Sequence, residues 1–186
     1  MVLLKGFVKP EDQIQIVRVC RQLGMDPGGF YRPSYKNGAK MSLWMMSLGK
    51  NWDPTTRSYG PTRPIDGARA PAIPEAFKMI AQTANSTASG FPQINPDICI
   101  VNYYTNSGKL GLHQDKDESE SSLTKGLPFI SISIGDTAEF MFGDTRDKDQ
   151  ATKINLESGT SVPVVHDTFV VVTSFLIEII GKKYRT

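Results

Sequence analysis

Two apolar periodicities divide the chain. From Pro10 to Gly24 the apolar positions recur at helical spacing, and Ile14, Val17, Cys20 and Leu23 form a stripe, because positions three or four apart share one helix face. Pro10, Glu11 and Asp12 suit the first turn: proline has no N–H to leave unpaired there, and the acids sit at the positive end of the helix dipole. Gly24 supplies a natural stop. Pro74-Glu75 opens a second helix with Phe77, Ile80 and Ala84 on one face, fading at Asn85-Ser86. Residues 25–40, rich in Gly, Pro and Tyr, predict irregular chain, and residues 41–48 a strand. Residues 51–74 carry repeated prolines and few apolar positions, which predicts a long surface excursion; loops of that length in a compact domain are commonly functional.

Beyond Gly90 the period shortens to two. Strands are predicted at 98–104, 110–115 and 153–157. Ile130, Ile132 and Ile134 alternate with Ser131 and Ser133, the pattern of a half-buried strand, and Gly135-Asp136-Thr137 turns the chain into a second alternation at Ala138, Phe140 and Phe142. Residues 169–180 are β-branched enough to pair in a sheet. Helices first and antiparallel strands afterwards predict an α+β domain built on a double-sheet barrel. There is no internal repeat, and 186 residues fit a single domain, 1–186, with a sizeable core.

Charge adds little to this picture. Lys and Arg number 21 against 19 Asp and Glu, so no general electrostatic attraction to nucleic acid follows. Lys50, Arg57, Arg63 and Arg69 could line a local basic groove or merely solubilise a loop. Two cysteines, Cys20 and Cys99, give no disulfide framework and fit a reducing compartment. The first residues are too soon interrupted by Lys5 for a signal peptide. The apolar run 169–180 contains Glu178 and falls short of the ~20 residues that span a bilayer. An intracellular protein of the nucleus or cytoplasm, with an organelle left open, a monomer and no membrane partner are the expectations.

The candidate chemistry lies between 102 and 118. His113 and Asp115 are two apart after a strand-like run, so an extended backbone projects both from one face. An imidazole and a carboxylate so placed are two corners of the 2-His-1-carboxylate triad that holds non-haem Fe(II) and leaves positions open for co-substrate and dioxygen. Asn102 and Tyr104, also two apart, put an amide and a phenol at the end of an apolar strand face, where a small anion could bind. Ser107-Gly108 supplies a turn that returns the chain beside that strand. The plainer reading of the same residues is a hairpin with an exposed, charged tip.

Asn102-x-Tyr104 followed by Leu-Gly-Leu-His-Gln-Asp-Lys-Asp-Glu at 110–118 resembles the AlkB family of Fe(II)/2-oxoglutarate dioxygenases, in its eukaryotic branch most similar to the bacterial enzyme. The segments Pro27-Gly28-Gly29-Phe30-Tyr31, Met45 through Pro54, Tyr59-Gly60 and Pro128 through Gly135 extend the likeness from about Leu4 to about Gly159. That family oxidatively demethylates N-alkylated bases in DNA or RNA, using Fe(2+), 2-oxoglutarate and dioxygen. The resemblance implies a double-stranded β-helix (jelly roll) buttressed by N-terminal helices, with a nucleotide-recognition region at 40–74 and a jelly-roll core at 96–159. It makes His113 and Asp115 iron ligands and sets Asn102 and Tyr104 on 2-oxoglutarate. Trp52 and Tyr59 fall in the region that borders a flipped methylated base. Asp117 either reads an exocyclic nitrogen or solvates its turn; Met45 is core or substrate contact. No catalytic side chain beyond the metal ligands is implied.

The likeness breaks after Gly159. The distal iron-binding histidine of the family falls on Thr173, and the only other histidine, His166, is the candidate third ligand. The family's last strand, whose arginines clamp 2-oxoglutarate, has no counterpart in the tail 160–186. The sequence therefore predicts a jelly roll with its last strands missing or replaced, and leaves as the alternative function a catalytically silent form retaining weak metal or nucleic-acid binding.

Overall fold

The computed structural model describes residues 1–34, 37–53, 56, 58–104, 126–143, 149–164 and 175–180, with the last stretch described as backbone except at Ile177. The strand predicted at 110–115 lies outside these residues. Helix α1 spans Pro10–Met25 and α2 Glu75–Ala88. A five-stranded sheet runs in the order β1-β4-β9-β5-β8, formed by Leu43–Leu48, Cys99–Tyr104, Phe175–Ile180, Phe129–Gly135 and Thr160–Val164. Two hairpins accompany it: β2 Asn51–Asp53 with β3 Ser58–Gly60, and β6 Ala138–Phe142 with β7 Thr152–Leu156.

The sheet is covered on both faces. On one, Ile16 and Cys20 of α1 and Phe77, Ala81 and Ala84 of α2 pack with Met46, Leu48, Cys99, Val101, Ile130, Ile132, Ile134 and Ile177. On the other, Phe129, Val162 and Val164 form a second cluster with Leu156, Ile100 and the partly buried Phe140, Phe142 and Ile154 of the β6–β7 hairpin. Two apolar layers around one sheet explain why β5 and β8 are buried along their lengths. The expected half-buried β5 is thus corrected. Ser131 and Ser133 face the second cluster, not water, and both are buried.

The helix-facing stripe of α1 is also rotated from its predicted position. Ile14 is 46% exposed and Gln13 is buried. The polar residue goes inward because it has bonds to make there: its amide donates to the Val8 carbonyl at 2.8 Å, and its Oε1 accepts from the Ser158 hydroxyl at 2.5 Å. Ser158 Oγ in turn accepts the Gly135 N–H at 2.9 Å. Beside this knot Gly159 adopts φ +81°, and a Cβ there would lie 2.4 Å from Gln13 Nε2 and 2.5 Å from the Val8 carbonyl oxygen. Only glycine fits. The chain start then lies along β8, with Leu4 and Ser161 exchanging backbone hydrogen bonds at 2.8 and 3.0 Å.

Strand β9 sits between β4 and β5 and pairs parallel with both. Ile177, the one residue of this strand whose side chain is described, is fully buried and in register with Val101 and Ile132. Ile177→Ala should therefore lower unfolding free energy by about 2–5 kcal/mol, read by denaturant titration. A change under about 0.5 kcal/mol, the size expected at the surface, would mean that the tail does not pack in the core.

Candidate functional site

The face of the main sheet that looks toward β6 and β7 carries a band of polar residues within an apolar surround. Register aligns Met45, Asn102, position 178, Ser133 and Thr160 in one row across the strands. The next row holds Ile100, position 176, Ser131 and Val162. Asn102 is 2% exposed, and Ser131, Ser133 and Thr160 are as deeply buried. Among the described residues, Asn102 Oδ1 and the hydroxyls of Ser131, Ser133 and Thr160 have no hydrogen-bond partner. Each such orphan costs about 1–3 kcal/mol, and groups left so at one place call for a ligand or ion.

Asn102 and Tyr104 are brought together as their spacing predicts, with Asn102 Nδ2 3.5 Å from the Tyr104 hydroxyl. They lie within the buried sheet face and not at its mouth, since both are nearly inaccessible. His113, Asp115, Asp117 and His166 lie outside the described residues, as does Arg57. Among the described residues there is no group of three or more His, Cys, Asp or Glu able to hold a metal. Cysteine offers no substitute: burial pushes the Cys20 thiol up to about 12 and the Cys99 thiol well above its ordinary value, so both stay protonated at neutral pH.

Within the surface excursion predicted at 51–74, the described residues include the β2–β3 hairpin and a buried arginine. Trp52 and Tyr59 face each other across the β2–β3 hairpin with ring centroids 4.9 Å apart and planes at 54°, an arrangement that favours aromatic pairs. Arg63, considered as a groove-lining or solubilising residue, is neither; it is 6% exposed. Its guanidinium donates to the Gly29 carbonyl at 2.7 Å, grips Asp66 through Nε and Nη2 at 3.0 and 2.7 Å, and lies 4.3 Å from the Tyr31 ring centroid. Tyr31 donates to Met45 Sδ at 3.4 Å. Arg63 thereby ties the excursion, through Tyr31, to the residue that flanks Asn102. The i,i+3 pair Arg63-Asp66 was the only sequence signal for this anchor. Of the other basic candidates, Lys50 is ion-paired with Asp97, and Arg69 is exposed.

With this geometry the comparisons with known proteins are decisive. The model of the 2OG-Fe(II) oxygenase superfamily matches residues 1–166. The chain belongs to the AlkB family of these oxygenases. A solved structure, "The structure of OsALKBH1", matches with a TM-score of 0.83 and 51% identity over 90% of this chain and 81% of that one. The DNA N(6)-methyladenine demethylase ALKBH1C of Arabidopsis thaliana is 53% identical over 86% of this chain and 38% of its own length. The alpha-ketoglutarate-dependent dioxygenase AlkB of Escherichia coli K12 is 37% identical over 67% of this chain and 57% of its own. The chain thus spans well under two thirds of these curated relatives. Fe(2+) and 2-oxoglutarate are the cofactor and co-substrate of the AlkB family, and the band of orphaned donors and acceptors fits a small polar co-substrate.

Arg63→Ala should destabilise the fold by about 1–3 kcal/mol through the lost charged hydrogen bonds, read by thermal or denaturant unfolding. The Asp66 carboxyl is held below its ordinary value, first by hydrogen bonding from Arg63 and then by the Ala68 N–H. A depressed folded-state value means that the stabilisation is fully present above the ordinary carboxylate range and is lost as pH falls through the folded value. Asp66→Asn should flatten that acid-side loss in a series of melts across pH; an unchanged profile would contradict the pairing.

Proposed function

We propose that this chain oxidatively demethylates N-alkylated bases in DNA or RNA as an Fe(II)/2-oxoglutarate-dependent dioxygenase. The observation that carries the reading is the buried polar band around Asn102 in a fold that closely matches an AlkB relative. Asn102 and Tyr104 would hold and orient 2-oxoglutarate, while Ile100 and Val162 in the adjoining row keep water from it. His113 and Asp115, with His166 as third ligand, would hold the iron. The bound iron with 2-oxoglutarate and dioxygen supplies the oxidising power for attack on an N-methyl group. Trp52 and Tyr59 on their hairpin, and Asp117, would border the extruded base. The Arabidopsis relative's name makes N6-methyladenine in DNA the first substrate to assay.

The same reading treats β9 as the replacement for the family's last strand, and takes the chain as an intracellular monomer of the nucleus, cytoplasm or an organelle. Among the described residues no helix is long and apolar enough to cross a membrane. The alternative, a catalytically silent form, is favoured by one observation: an acid, Glu178, stands in the β9 row between Asn102 and Ser133.

The test is formaldehyde release from a methylated oligonucleotide with iron and 2-oxoglutarate. Turnover abolished by His113→Ala, and an apparent KM for 2-oxoglutarate raised about 10-fold or more by Asn102→Ala, are the expected results. No turnover, with no Fe(II) bound at micromolar levels, would establish the silent form.

A further inference from the structure

Tyr31 stands between the anchor at Arg63 and the polar row. Its backbone forms an isolated antiparallel bridge with Met45, exchanging N–H···O bonds of 2.9 and 2.8 Å. Residues directly opposite in such a bridge send their side chains to the same side, and the Tyr31 hydroxyl donates to Met45 Sδ at 3.4 Å. The Tyr31 ring centroid lies 4.3 Å from the Arg63 guanidinium, which is itself fixed by the Gly29 carbonyl and by Asp66.

Met45 carries this set of contacts to Asn102. Met46 and Leu48 lie in the helix-side core, so alternation along β1 puts Met45 on the opposite face, in register with Asn102. Cross-strand partners have Cβ atoms about 4.5–5.5 Å apart, and Met45 therefore walls Asn102 on the β1 side. A methionine side chain is unbranched and adaptable, with no fixed shape of its own. The hydrogen bond to its sulfur selects among its rotamers. Burial pushes the Tyr31 phenol above its ordinary value, against the opposing pull of Arg63, so the O–H remains a donor at neutral pH.

We propose that Tyr31 is a positioning residue of the co-substrate site: its hydroxyl holds the Met45 thioether beside Asn102, and Arg63 holds the Tyr31 ring in place to do so. The inference rests on the reading of this face as the 2-oxoglutarate site. Tyr31 acts through the sulfur and not by contact with the co-substrate. The excursion at 51–74 thus contributes to co-substrate affinity as well as carrying the Trp52–Tyr59 hairpin, because Arg63 belongs to it.

The test is calorimetric titration of 2-oxoglutarate into the full chain with Mn(II) in place of iron, for the parent, Tyr31→Phe, Met45→Leu and the double variant. Tyr31→Phe keeps the ring against Arg63 and removes only the O–H, and should weaken 2-oxoglutarate binding about 3- to 10-fold. Leucine has no sulfur to be held, so in the Met45→Leu background the same change should stay within about twofold. With isotope-labelled methionine methyl groups, 2-oxoglutarate should shift the parent resonance that Met45→Leu removes. A Tyr31→Phe effect below twofold, an equal effect in both backgrounds, or an unshifted Met45 resonance overturns the proposal alone. A folded parent that binds no Mn(II), or no 2-oxoglutarate once Mn(II) is held, overturns the oxygenase reading and the proposal together.

Discussion

The backbone hydrogen bonds that β9 makes with β4 on one side and β5 on the other hold the rest of the structure in place. β4 and β5 are not neighbours, so each has an edge that only β9 satisfies. Unpaired edges inside a domain would leave a row of N–H and C=O groups without partners, and such groups are costly when buried. The same insertion completes the helix-side core, because Ile177 fills the place between Val101 and Ile132. It also fixes how far Asn102 lies from Ser133. Stability and the geometry of the candidate pocket thus depend on one short strand near the end of the chain.

The family model covers residues 1–166, and the site-bearing strands β4, β5 and β8 fall within it. β9 does not. Parallel pairing on both sides suits the run Phe-Leu-Ile-Glu-Ile-Ile, which is apolar on both faces save for Glu178. The requirement of the sheet is met by hydrophobicity and β-branching, while the requirement of the co-substrate is chemical. The anchor at Arg63 shows the opposite economy. One guanidinium supplies hydrogen bonds, an ion pair and an aromatic contact, and so joins a proline-rich segment to the sheet with few apolar residues.

Much of this was legible before the structure. Both helices, and β1, β4, β5, β6 and β7, follow from periodicity of 3.6 or 2 and from their glycine and proline boundaries, because those signals are local. The pairing of Asn102 with Tyr104 follows from the two-residue spacing. What was not legible depended on tertiary contact. Gln13 reads as solvent-facing until Val8 and Ser158 are seen to wait for it. Ser131 and Ser133 read as solvent-facing until the β6–β7 hairpin is placed over them. Arg63 reads as a surface cation, since nothing in sequence brings Gly29 or Tyr31 beside it. Position 178 acquires meaning only from its register with strands that lie many residues earlier.

Native-state amide hydrogen exchange across the sheet tests the central claim most directly. If β9 is hydrogen-bonded between β4 and β5, the amides of 175–180 should exchange as slowly as those of Cys99–Tyr104 and Phe129–Gly135. Rapid exchange of 175–180 while β5 stays protected would contradict it, and the strand would have to be removed from the account of both core and pocket.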